Sequence, residues 1–124
     1  MISLTRVILS FIFSWPVIYS YTLFILVSSL IQIDIPEELL FPFYDKLLHI
    51  LNYMVLAFII VNTVTLKTKG QDRIFALAYA FMLGLIVEII QFFLPYRTFD
   101  AIDMLCNFIG GFLGGLFLLD KKVR

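Results

Sequence analysis

The sequence predicts an all-α integral membrane protein with four transmembrane helices, and three observations carry that expectation. Of 124 residues, 62% are hydrophobic and 15% charged, with a mean hydropathy of +1.04. A soluble domain of this size needs more polar surface to cover its core. Four apolar runs reach about the 20-residue length that a helix needs to cross a bilayer, at about 7–33, 46–66, 74–94 and 101–119. Each is apolar on nearly every face, unlike the one-sided stripe of a soluble bundle helix. Together they read as a single membrane domain over 1–124.

The first run passes Trp15 and Pro16, so as one helix it is long enough to tilt, or to kink at the proline. A signal peptide is the competing reading of this run, but it continues past signal length without a small-residue cleavage site. The remaining runs are joined by short polar connections, and the segment KTKGQDR at 67–73 reads as a plain turn.

Nine Lys and Arg balance nine Asp and Glu, so no basic field exists to recruit nucleic acid. The lone Cys106 cannot form an intramolecular disulfide and reads as a small apolar packer. The cations are unevenly placed. Arg6, Lys67, Lys69, Arg73, Lys121, Lys122 and Arg124 fall at one end of the expected helices. The other end holds Lys46 and Arg97 with Asp34, Glu37, Glu38, Asp45, Asp100 and Asp103. Short cytoplasmic loops collect Lys and Arg, so both termini are expected in the cytoplasm of a multi-pass protein of the inner (plasma) membrane.

Ionisable side chains inside a membrane helix cost about 2.5 to 3.5 kcal/mol on insertion scales, so their positions point to compensation or function. On the second run Asp45, His49 and either Asn52 or Tyr53 share a helical face, with Lys46 on its edge. Gly84, Glu88 and Gln91 share a stripe on the third, with Arg97 beyond its end. Asp100, Asp103, Asn107 and then glycines share a stripe on the fourth. Chain direction puts all three stripes at the outward end, which predicts a polar pocket made by the last three helices. The fourth-run glycines let a neighbouring helix approach, and their small-xxx-small spacing raises a homodimer as one use of that face.

The ordered set D-K-x-x-H (Asp45, Lys46, His49), E-x-x-Q (Glu88, Gln91), Arg97 and D-x-x-D-x-x-x-N (Asp100, Asp103, Asn107) resembles the VanZ-like family, over about 45–115. The resemblance implies a small integral membrane protein associated with teicoplanin resistance that does not require target-modifying enzymes. It also implies that the polar positions just named are functional.

Three readings of the cluster compete. In the first, the pocket binds a membrane lipid, a lipid-linked cell-envelope precursor or a glycopeptide. Lys46 and Arg97 grip phosphate, while Asp45, His49, Glu88, Gln91, Asp100, Asp103 and Asn107 complete the ligand-binding set. In the second, an intramembrane enzyme uses Glu88 or His49 as general base on a lipid-linked substrate. No cofactor motif is present, although Asp45, Glu88, Asp100 and Asp103 offer oxygen ligands suited to a divalent metal. In the third, the same groups are interhelical glue. Pure glue gains little for the cost of burying Glu88, which favours a ligand.

Overall fold

A computed structural model of the chain describes residues 2–31, 36, 43–96 and 100–119. Among them lie five helices: α1 (Leu4–Ile12), α2 (Trp15–Leu30), α3 (Tyr44–Thr63), α4 (Lys69–Phe92) and α5 (Ala101–Leu116). The all-α expectation holds. Two of these helices, α3 and α4, are long and apolar enough to cross a membrane, and α1 with α2 makes a third span if the pair is counted as one. At 16 residues, or about 24 Å, α5 is shorter than the expected 101–119 and than a standard span.

The first run is not one helix. It breaks at Phe13 and Ser14, and α1 and α2 are bent by 48° across the break. The cause is Pro16, which lacks an N–H and whose ring would strike the carbonyl of Ile12 in a continuous helix. Within the first turn of α2 the same proline is harmless, because that N–H has no intrahelical partner. No residue of α1 is buried, whereas α2 buries Ile18 and Ile25.

Phe43, with φ 65° and ψ 21°, turns the chain in the left-handed region into α3. This helix begins two residues before the expected 46 and ends at Thr63 rather than 66. The start of α4 differs more, since the helix begins at Lys69 and not at 74. The supposed turn carries a T-x-x-Q start signal. Thr68 Oγ1 accepts from the Gln71 N–H at 3.1 Å, and Gln71 Oε1 accepts from the Lys67 N–H at 3.1 Å. At the same corner, buried Asp72 accepts the Leu66 N–H at 2.8 Å.

The core is built on α3 and α4. Leu56, Ala57, Ile60 and Val61 meet Ala76, Ala80 and Val87, and all of these are fully buried. Large apolar side chains elsewhere face outward, among them Leu23, Val55, Ile86, Phe112 and Leu113. Apolar surface on this scale belongs against lipid.

Glycine decides how α5 sits. A Cβ built on Gly110 would fall on the Ile50 carbonyl, and one on Gly114 on the Met54 carbonyl, so α5 lies backbone to backbone on α3. Gly111 faces Ala80 of α4. Gly110 and Gly114, part of the glycine run that suggested a homodimer, are thus engaged within the chain. Asn62 fastens the far end of the same seam, donating to the Phe117 carbonyl at 2.9 Å and accepting from the Leu119 N–H at 2.6 Å.

Candidate functional site

The N-terminal turns of α3 and α5 and the C-terminal turn of α4 meet at one end of the bundle, and the polar stripes meet with them. Lys46, in the first turn of α3, reaches across to α5. Its Nζ lies 2.6 Å from Asp100 Oδ2, in hydrogen-bonding contact with Asp103 Oδ1, and 3.2 Å from Asp45 Oδ2. The ammonium expected to face a ligand phosphate is therefore seated among three carboxylates. With those groups ionised, the cluster is net anionic.

One turn further along α3, His49 Nδ1 lies 2.7 Å from Asn107 Oδ1, and its Nε2 lies 3.6 Å from Asp103 Oδ2. With a carbonyl oxygen as partner, Nδ1 carries the proton and donates. Gly84 makes this possible from α4, because a Cβ there would stand 3.0 Å from Asn107 Nδ2. That Nδ2 is buried and has no hydrogen-bond partner.

Glu88 is fully buried. Its Oε2 accepts the Asp100 N–H at 3.2 Å, at the N-terminus of α5 where the helix dipole favours an anion, while Oε1 has no partner among the described residues. Asp100 caps α5 by accepting the Ile102 N–H at 2.8 Å. The Lys46 ammonium beside Asp100 holds its carboxyl below the ordinary carboxylate range.

Gln91 turns away from this group. Its Nε2 donates to the Ser29 carbonyl at 2.7 Å, and Tyr96 donates to the Leu30 carbonyl at 2.8 Å, so two last-turn carbonyls of α2 are capped by side chains of α4 and the turn after it. The expected site residue Arg97 lies outside the described residues.

Beside the network is a partly open cavity of about 330 Å³, lined by Ser28 and Ser29 of α2 and by Asp45, His49, Asn52 and Tyr53 of α3. Gln91 adds one wall. The pocket expected among the last three helices is thus displaced: those helices close on one another, and the opening lies between α2 and α3. Asp45, His49 and Gln91 line it, whereas Lys46, Glu88, Asp100, Asp103 and Asn107 do not. Sequence reasoning missed Ser28 and Ser29, whose only signal was adjacent hydroxyls in an apolar run. Tyr53 is 1% exposed, and its hydroxyl is buried without a partner.

The volume suits a head group, being at the small end for a ligand pocket. The network behind it supplies an oriented imidazole and fixed negative charge. Among the described residues no three His, Cys, Asp or Glu form a set suited to a metal ion; the three carboxylates that converge do so on Lys46.

A family model described as VanZ/LLP1 matches residues 3–119, nearly the whole chain. No curated protein and no solved structure matches.

Proposed function

The chain belongs to the VanZ/LLP1 family, and from that premise and the site geometry we propose that it is a cell-envelope membrane protein that binds the polar head of a lipid or lipid-linked envelope component. The observation that carries this reading is the cavity between α2 and α3. It lies at the end of the bundle where Asp45, Lys46, Asp100 and Asp103 gather and is lined by hydroxyl, amide, imidazole and carboxylate groups. Asp45, His49 and Gln91 meet the ligand, and Lys46, Glu88, Asp100, Asp103 and Asn107 hold the wall behind them. Arg97 completes the set as a cation for ligand phosphate. Altered susceptibility to glycopeptides such as teicoplanin follows if the bound component is one that these drugs meet.

In this reading α5 and the bent α1–α2 pair both cross the inner membrane with α3 and α4, giving four spans. The ends carrying Arg6, Lys67, Lys69 and Arg73 face the cytoplasm, both termini lie there, and the cavity opens outward.

Native mass spectrometry of the gently extracted protein tests the binding. Wild type should retain a lipid or envelope precursor that is lost from Ser28→Trp, which fills the cavity, and from an Arg97→Ala, Glu88→Gln double variant. Equal, nonspecific lipid on all three would overturn the reading. Glu88→Gln alone keeps shape and removes charge; it should abolish function while the protein still inserts.

A second reading, an intramembrane enzyme, is favoured by one observation. His49 lines the cavity with Nδ1 fixed by Asn107 and Nε2 3.6 Å from the Asp103 carboxylate, which would stabilise the imidazole as Nε2 takes a proton from a substrate. Glu88, the other candidate base, is sealed from the cavity. Turnover of a lipid-linked substrate that His49→Gln abolishes without loss of binding would favour the enzyme.

A further inference from the structure

Electrostatics around the cavity single out which part of a head group it can take. Among the described residues, Asp45 is its one lining carboxylate, about half exposed at 48%, and no Lys or Arg lines it. Among the described residues the nearby cation is Lys46, already shared by three carboxylates, so the described wall behind Asp45 is net negative.

Two helix ends border the space. The C-terminal turn of α2 brings Ser28 and Ser29, and the carbonyl end of a helix favours a cation. The N-terminus of α3 favours an anion, but Asp45 in its first turn already supplies one. The Tyr53 hydroxyl is buried at the cavity wall without a partner among the described residues, so an oxygen there is left to accept, and the rings of Phe24 and Tyr44 are among the lining, aromatic groups being able to attract ammonium ions. A free phosphate entering here would meet the Asp45 carboxylate and, among the described residues, no lining cation.

We propose that the cavity accepts a primary ammonium group, seated against the Asp45 carboxylate and the Tyr53 hydroxyl. This rests on the head-group reading above and sharpens it: the ligand enters by its amine, and any phosphate it carries stays outside. The ammonium can be borne by a lipid, as in phosphatidylethanolamine, or by a soluble amine.

The test is competitive retention in native mass spectrometry, with equal amounts of dioleoyl phosphatidylethanolamine and dioleoyl phosphatidylglycerol offered to the delipidated full chain. The ethanolamine lipid should be held about tenfold better, as one charge-assisted hydrogen bond gives. Asp45→Asn should bring the ratio to about one, while Tyr53→Phe should lower it less. Displacement of the lipid by free ethanolamine would assign a soluble amine as sufficient; resistance to it would assign the lipid-borne group. Equal retention of the two lipids by wild type, or a preference that survives Asp45→Asn, overturns the ammonium assignment. Ser28→Trp keeps the two failures apart. If it expels both lipids while wild type shows no preference, a head group binds but not through its amine; if it expels neither, the cavity is not the binding site.

Discussion

Helix α3 has two seams, and they are built in opposite ways. Against α5, glycine removes the side chains, the backbones come together, and the polar groups of both helices pair: Lys46 with Asp100 and Asp103, His49 with Asn107. Against α2 no such glycine contact brings the backbones together among the described residues, and one long side-chain bond of 3.3 Å, from the Tyr21 hydroxyl to Asn52 Oδ1, crosses between them. The first seam pairs most of its polar groups internally, with Asn107 Nδ2 left over among the described residues. The second leaves Tyr53 without a partner and a cavity beside it. Similar residue types serve structure in one place and face open space in the other, and the separation of the backbones decides which.

The sharpest way to break that contrast is to force the tight seam open. Gly114→Leu places a side chain on the Met54 carbonyl and should cost about 3 kcal/mol or more, read as loss of monodisperse protein and a lowered melting temperature in detergent. A leucine at Ser28, across α3, should leave the melting temperature nearly unchanged. Next in size is Lys46→Met, which strands three carboxylates beside one another. A loss of about 2 to 3 kcal/mol is expected, larger than for Asp45→Asn, and comparison of the two melting curves checks the order.

Acid should act on the tight seam selectively. The Asp100 carboxyl is held below its ordinary range by Lys46, so its contribution is complete above the unfolded carboxylate value of about 4 and is lost as pH falls through the lower folded-state value. Melting temperature measured from pH 7 downward should therefore fall on the acid side, and Asp100→Asn, which keeps the helix cap, should flatten that limb. The smallest effect belongs to the open seam: Tyr21→Phe removes the single long bond across the gap and should change stability by about 0.5 kcal/mol or less. A large effect there would show that the two seams are not so different after all.

The tight seam was legible in the sequence and the open one was not. Asp45, Lys46 and His49, and Asp100, Asp103 and Asn107, advertise themselves because charge in an apolar run is costly and recurs at helical spacing. Gly110 and Gly114 continue the Asn107 stripe, which tells which face of α5 meets a neighbour. Membership of one helical face does not reveal which neighbour stands opposite, and so the cavity was expected beside α5. Ser28 and Ser29 carry no charge and sit in an unbroken apolar run, so nothing marked α2 as a wall. Gln91 was visible, but its partner is a backbone carbonyl, which no residue pattern encodes. Pro16 did announce the break before α2. Thr68 and Gln71 announced the start of α4 as clearly, but the lysines around them resembled an ordinary turn.

Gln91 and Tyr96 hold the end of α2 by the carbonyls of Ser29 and Leu30 rather than by any side chain. A grip of that kind is blind to the residues it holds. The cavity wall on α2 is thus free to be rewritten: side chains at 24, 28 and 29 can be exchanged without unfastening the helix that presents them. A bundle packed backbone to backbone on one side, with the end of α2 gripped through its main chain on the other, is a frame with an interchangeable panel.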